Sequence, residues 1–309
     1  MQLYTVTLNP TLDKTLAVPA LLPGTIHRVE TLRYDLGGKG INVSRALRAL
    51  DIASICVGII AGHNGRILRD GLLAEGYIVE FVEMDGETRQ NITLLDRAKS
   101  EYTKFNEAGP PVTQRDLDAL FARVTQLVRA NDLWALCGSL PPGAPADTYA
   151  RLIQLIQNKN ARAFLDTSGA PLSPGFFARP FALKINADEA GELLGRAPET
   201  DADIAQAVRE LNRAGIACAV ITRGAHGIAL GMGDAYVQAI PPQVETRSAV
   251  GAGDAAMAGL MWAVSEKCDV PEIARRITAC GTAAAMQEGS GVGERALIQA
   301  LMPRVKIAD

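Results

Sequence analysis

Residues 132–166, DLWALCGSLPPGAPADTYARLIQLIQNKNARAFLD, hold the pattern that decides the fold. A strand-like apolar run over 132–138 gives way to a helix-like stretch over 145–158, and a second strand-like run follows over 161–166. Strand, helix and strand in this order make a βαβ unit, which lays its two strands parallel. The same switch of period recurs outward in both directions. Strand-like runs at 3–8, 53–60, 77–83, 181–185 and 216–222 alternate with helix-like stretches at 41–50, 64–75, 113–130, 187–194 and 202–213. Helical patterns at 252–266, 270–286 and 293–303 close the chain. The alternation predicts an α/β fold in which helices cover both faces of a parallel sheet.

Two regions break the alternation. Short β-like pieces at 14–18 and 26–34, and a hairpin with polar punctuation over 87–107, read as strands of a small second sheet. A lid that excludes water is one use for such a sheet, and an ordinary surface hairpin fits the same pattern.

Composition narrows the function classes. A chain of 309 residues can build one main core with a small appendage. Hydrophobic residues make up 48% and aromatics only 5%, so that core is expected to be Ala, Val, Leu and Ile. The net charge of −3 provides no broad basic field, which argues against nucleic acid or an anionic membrane as partner. Cys56, Cys137, Cys218, Cys268 and Cys280 are scattered and form no C-x-x-C, so neither a disulfide framework nor a zinc site is expected, and a reducing cytoplasm fits best. His27, His63 and His226 lack metal-ligand spacing and read as structural. The N-terminal MQLYTVTLNP alternates like a strand, with no signal-peptide pattern, and no apolar run approaches about 18 residues, so neither export nor membrane spanning is expected.

The chemistry concentrates in a few turns. Val250-Gly251-Ala252-Gly253-Asp254 precedes the small-residue helical run AAMAGLMWAV. Glycines ahead of a helix let backbone N–H groups approach an anion, and Asp254 adds a carboxylate able to take a proton from an attacking hydroxyl. An Asp that merely stabilises the helix N-terminus explains the same residue. GAGDAA also matches a dinucleotide-binding turn, but no strand returns after its helix and no acidic residue closes one. Gly37-Gly38-Lys39-Gly40-Ile41-Asn42 is a second glycine-rich entry to a helix, in which Lys39 could reach a phosphate and Asn42 could bond sugar hydroxyls. It does not follow the P-loop order, and a tight strand-to-helix joint would look the same. Asp13, just after the first strand, suits a pair of hydroxyls or a structural turn.

Arg28, Arg89 and Lys104 lie in the two lid segments and would bind a phosphate if they converged. Asn186 and Glu189, in Lys184-Ile185-Asn186-Ala187-Asp188-Glu189, stand three apart. They read either as ligands holding Mg through water or as an N-cap with its N3 partner. Thr222-Arg223-Gly224-Ala225-His226-Gly227 has the glycines of a nucleotide turn or of a plain hairpin, and Gly138-Ser139 closing a strand is equally ambiguous.

In order, from TLNPTLD through GGKGINV and VGAGD to EGSG, these pieces resemble the PfkB (ribokinase-like) carbohydrate kinases, in the branch of bacterial phosphofructokinases and tagatose-6-phosphate kinases. The resemblance implies a single ribokinase-like kinase domain over 1–309, with a three-layer α/β/α core, a mostly parallel sheet and a small β-sheet lid from about 12–35 and 87–108. It implies ATP and Mg as cofactors, a small sugar phosphate as substrate, and allows a homodimer through the lid. Asp254 would be the base, with Gly251, Ala252 and Gly253 as the anion hole. Asp13, Gly38, Lys39 and Asn42 would hold the sugar, and Arg28, Arg89, Lys104 and Ser139 its phosphate. Lys184, Asn186 and Glu189 would serve nucleotide phosphates and, through Glu189, Mg. Thr222, Gly224, Gly227, Ser248 and Thr282 would line the ATP turn. Ile185 and Ala249 depart from the Pro and Thr common at those places. Fructose 1-phosphate is the favoured acceptor, with tagatose 6-phosphate and fructose 6-phosphate beside it. A nicotinamide-dependent oxidoreductase and a non-catalytic sugar-phosphate sensor are the rivals from other classes.

Overall fold

The computed structural model describes residues 1–99, 101–289 and 291–308, so Ser290 of the EGSG stretch lies outside the described residues. The first elements are β1 (Leu3–Thr7), β2 (Thr11–Val18), β3 (Thr31–Gly37), α1 (Lys39–Ala49), β4 (Ile55–Ala61), α2 (Gly62–Ala74), β5 (Ile78–Met84), β6 (Gln90–Asp96) and β7 (Glu101–Asn106). Next come α3 (Gln114–Leu127), β8 (Leu133–Cys137), α4 (Thr148–Gln157), β9 (Arg162–Asp166), α5 (Leu172–Phe177), β10 (Ala182–Asn186), α6 (Ala187–Leu194), α7 (Asp201–Arg213) and β11 (Cys218–Thr222). The chain ends with β12 (Ile228–Met232), β13 (Ala235–Ile240), α8 (Ala252–Ser265), α9 (Val270–Ala285), α10 (Arg295–Leu301) and β14 (Lys306–Ala308).

Ten strands form the main sheet in the order β14-β13-β12-β11-β10-β9-β8-β1-β4-β5. From β5 to β11 all neighbours run parallel. Both faces of this part are covered, so alternate residues of one strand enter different cores. Leu133, Ala135 and Cys137 of β8 pack with α1, α8 and α9, whereas Trp134 and Leu136 pack with α3 and α4. Trp134 stacks on Tyr4 of neighbouring β1, with ring centroids 3.9 Å apart.

The sheet is mostly parallel, as expected, and changes direction at one edge, where β11, β12, β13 and β14 pair antiparallel. The β11–β12 and β12–β13 turns are too short for a crossover helix, so the chain doubles back there, and β14 joins the edge only after α8, α9 and α10. The pieces expected at 14–18 and 26–34 are displaced, with the second strand beginning at Thr31 rather than residue 26. Together with β6 and β7 they form a separate sheet in the order β3-β2-β6-β7, mixed in direction because β2 and β6 run parallel.

Helix α8 is buried on nearly every side, as its apolar composition requires. Its small residues allow close packing on α9; a Cβ at Gly259 would lie 2.8 Å from the Arg276 carbonyl oxygen. Tight packing also sets the β1–β4 seam, where Gly58 pairs with Thr7 and any Cβ would collide with the Thr7 carbonyl oxygen. Gly58→Ala is therefore expected to lower unfolding stability by about 1–3 kcal/mol in denaturant titration; unchanged stability would contradict the register.

Candidate active site

Strands β1, β8, β9, β10 and β11 end on one edge of the sheet. The chain leaves β1 toward β4 on one side and returns to β8 on the other, so a crevice opens beside β1 at the switch. Around it lie Gly138 and Ser139 after β8, Asp166 ending β9, Asn186 ending β10 and Thr222 ending β11. The starts of α1 and α8 face the same region, because Asn42 of α1 bonds Asp254 of α8 through Nδ2 to Oδ2 at 2.9 Å. The two glycine-rich turns at opposite ends of the sequence thus meet.

Gly251 caps α8 in the left-handed region, at φ 80°, a conformation glycine adopts without strain. Ala252 N–H makes a long 3.4 Å bond to the Ala249 carbonyl. No side chain caps the helix, and among the described residues the N–H groups of Gly253 and Asp254 have no partner. Unpaired N–H groups at a helix N-terminus are a ready anion site. Asp254 stands on that first turn, only 7% exposed. Burial pushes its carboxyl up to about 6, and the charge of Asp166 adds to the rise. The Asn42 bond, Lys39 and Lys184 pull the other way.

Asp166, absent from the sequence reading, is the centre of the charge arrangement. Its Oδ1 takes Lys39 Nζ at 3.0 Å and its Oδ2 lies 2.8 Å from Lys184 Nζ. Burial would raise its carboxyl, but Lys184 and Lys39 outweigh burial and hold it below the usual range. In return Asp166 pushes Lys39 above the ordinary lysine range. Lys184 is itself buried, and a Cβ on Gly253 would come within 3.5 Å of its Nζ, so the ammonium sits beside the unpaired N–H groups. An Asp at the end of an apolar strand carries no sequence signal that separates it from an ordinary turn residue.

Other expected residues behave less uniformly. Gly38 caps α1 at φ 135°, where a Cβ would strike Thr7. Asp13 lies on β2 and accepts bonds from Thr11 Oγ1 at 3.2 Å and Asn91 Nδ2 at 2.9 Å. Arg28 and Lys104 are solvent-exposed, the latter's ammonium 5.1 Å from the Tyr102 ring centroid. Arg89 turns inward and donates to the Asn9 and Glu107 carbonyls. The three cations are thus not gathered on a common acceptor here, because Arg89 is satisfied by backbone and the other two remain in water. Ser139 is exposed and lies 3.5 Å from Asn9 Nδ2.

Asn186 and Glu189 form a reciprocal capping box at the start of α6, so Asn186 is not on the helical face that a spacing of three suggested. The cap ties Asn186 Oδ1 and Glu189 Oε2 at 2.8 Å each and leaves Glu189 Oε1 outside it. Thr222 Oγ1 donates to the Ile185 carbonyl at 3.3 Å, and Gly224 and Gly227 both have positive φ around a short 3-10 turn that joins antiparallel β11 and β12. Ser248 Oγ accepts from Val250 N–H, bracing the approach to α8. Thr282 is buried in α9, and its hydroxyl is spent on the Thr278 carbonyl at 2.7 Å, which leaves it no proton for a base.

The sequence matches the family model "pfkB family carbohydrate kinase" over residues 7–296. It is 36% identical to the 1-phosphofructokinase of Rhodobacter capsulatus over 280 residues, 90% of this chain and 89% of that protein. It is 32% identical to the 1-phosphofructokinase of Bacillus subtilis over 99% of both chains. Among solved structures, phosphofructokinase-2 from Escherichia coli superposes with a TM-score of 0.94 at 27% identity, covering 98% of each chain. The chain belongs to the pfkB family of carbohydrate kinases.

The charge arrangement has a consequence for stability. The Asp254 carboxyl is raised from 3.8 to about 6 on folding, so its favourable contribution is complete below 3.8 and is lost as pH rises through 6. Asp254→Asn removes that titration while preserving an acceptor for Asn42. The variant is expected to be more stable than wild type by roughly 2–3 kcal/mol at pH 8, with the difference shrinking between pH 6 and pH 4 in denaturant titrations. A difference independent of pH would contradict the assignment.

Proposed function

We propose that this pfkB family kinase transfers the γ-phosphoryl group of ATP to the free primary hydroxyl of fructose 1-phosphate, giving fructose 1,6-bisphosphate and ADP. The observation that carries the reading is the meeting, at the start of α8, of a buried carboxylate with unpartnered N–H groups. The 1-phosphofructokinases among its relatives support the acceptor. Asp254 accepts the hydroxyl proton as the new O–P bond forms. The bond from the γ-phosphorus to the bridging oxygen breaks, and its electron pair leaves with ADP. A carboxyl near 6 is ionised at neutral pH yet basic enough to take the proton late in a loose transition state. The turn Gly251-Ala252-Gly253 and Lys184 neutralise charge on the moving phosphoryl group.

On the sugar side, Asp13, Gly38, Lys39 and Asn42 orient the ketose. Asn42 then bonds both the substrate and the base, which holds the two in register. Arg28, Arg89, Lys104 and Ser139 take the acceptor's phosphate when the small sheet closes as a lid. Thr222, Gly224, Gly227, Ser248 and Thr282 border the nucleotide, Thr282 by shape rather than by its engaged hydroxyl. A magnesium ion suits Glu189, whose Oε1 lies outside the capping box, because Mg takes one or two carboxylates together with phosphates and water. When bound, it supplies neutralising charge to the ATP phosphates.

Exposed Leu32, Tyr34 and Phe105, on one face of the small sheet, are what a homodimer through the lid would cover. No helix among the described residues is long and apolar enough to cross a membrane. The five cysteines are all free, in keeping with a reducing cytoplasm.

A coupled ADP-release assay with limiting fructose 1-phosphate, fructose 6-phosphate, tagatose 6-phosphate and free fructose tests the reading. The highest kcat/KM is expected for fructose 1-phosphate, and free fructose should be the poorest acceptor. Preference for fructose 6-phosphate, with which E. coli phosphofructokinase-2 has been solved in complex, would overturn the choice of acceptor. Equal use of free fructose would remove the phosphate clamp. Asp254→Asn is expected to lower kcat by about 10²- to 10⁴-fold with ATP binding retained; near-normal turnover would exclude Asp254 as the base.

A further inference from the structure

Asp13 occupies the middle of a row across the small sheet. In the strand register, Asp35 of β3 stands directly opposite it on one side and Asn91 of β6 on the other. Side chains opposite one another share a face, and two carboxylates so placed repel. Arg33 reduces this by pairing with Asp35, Nε to Oδ2 at 2.8 Å. On the other side Asn91 Nδ2 donates to Asp13 Oδ1 at 2.9 Å, and Thr11 Oγ1 reaches the same oxygen at 3.2 Å. The amide cannot be turned over without setting its oxygen against the carboxylate. Gly37, opposite Thr11, packs so closely on Asp13 Oδ2 that a Cβ there would collide with it. Both donors therefore hold Oδ1, while Oδ2 has no hydrogen-bond partner among the described residues.

The geometry points to Asn91 as the positioning residue that pins Asp13 Oδ1 so that Oδ2 is presented to an acceptor hydroxyl. This rests on the reading of Asp13 as a sugar contact. Asn91 Oδ1 is buried and has no hydrogen-bond partner among the described residues, so the amide is kept where only its donating end is used. Burial raises the Asp13 carboxyl, the Asn91 and Thr11 bonds and Arg89 oppose that rise, and Asp35 adds to it. The amide bond thus favours the charged form against the rise that burial drives. The residue lies two places after Arg89 in a segment whose sequence looks like plain strand, and nothing in the spelling marks it.

The test compares Asn91→Asp, Asn91→Leu and Asp13→Asn with wild type, measuring KM for fructose 1-phosphate, KM for ATP and kcat from pH 5.5 to 8.5. Asn91→Asp keeps the shape but replaces the donor by a like charge. It is expected to raise the acceptor KM by roughly tenfold or more at pH 8, with KM for ATP within about twofold of wild type. At pH 5.5 the two facing carboxylates share a proton, which restores a donor toward Asp13, so much of the loss is recovered. Asn91→Leu has no proton to offer and is expected to show the rise in acceptor KM without that recovery. A merely structural role would alter KM for both substrates and would give no acid recovery. An unchanged acceptor KM in both Asn91 variants, while Asp13→Asn raises it, overturns the role of Asn91 and leaves the sugar-site reading intact. An unchanged KM in Asp13→Asn overturns the sugar-site reading itself.

Discussion

A single carboxylate, Asp166, sits almost fully out of water between two ammonium groups that come from distant parts of the chain. An unpaired charge in that position would cost several kcal/mol, and breaking such a pair costs about 3–5 kcal/mol. Lys39 and Lys184 are therefore drawn to the end of β9, which fastens the start of α1 to the end of β10 across the crevice. With Asp254 included, the cluster holds two positive and two negative groups. The same Asp166 charge that gathers the lysines also helps keep the Asp254 carboxyl near 6. Structure and reactivity at this edge of the sheet follow from one ion-pair network centred on a buried carboxylate.

The proposed parts of the site attach to two kinds of support. Asp254, Lys184 and Asp166 stand on elements of the main sheet and its buried helices, where packing leaves little freedom. Asp13, Asn91, Arg89 and Lys104 belong to the small sheet or its approaches, which carries exposed apolar side chains. Under the proposed function the first group would perform the transfer and the second would admit and grip the acceptor, the division a lid would require because the catalytic geometry must survive each opening. Asn42 links the halves, since it lies four residues past the Gly38 cap and bonds the proposed base.

Much of this was legible in the sequence because it rests on period and turn chemistry. Alternating runs such as 132–138, 145–158 and 161–166 became β8, α4 and β9, and the two glycine-rich helix entries were found to meet. The sequence implies a mostly parallel sheet but does not locate its antiparallel edge, since short apolar strands look alike whichever way they run. Asn186 and Glu189 allowed both a cap and a ligand pair, and the structure resolves the local geometry as a cap while sparing one Glu189 oxygen. Asp166 and Asn91 escaped for a common reason: each acts through residues far away in sequence, and a polar residue in or at the end of a strand has no local signature of such a partner.

Asp254 is a buried carboxylate with a raised proton affinity, placed beside unpartnered N–H groups. A ¹³C carboxyl NMR titration of the full-length protein, with the Asp254 signal identified by its loss in Asp254→Asn, reads that property directly. A midpoint near 6 is expected. A midpoint near the ordinary aspartate value of about 4 would contradict it.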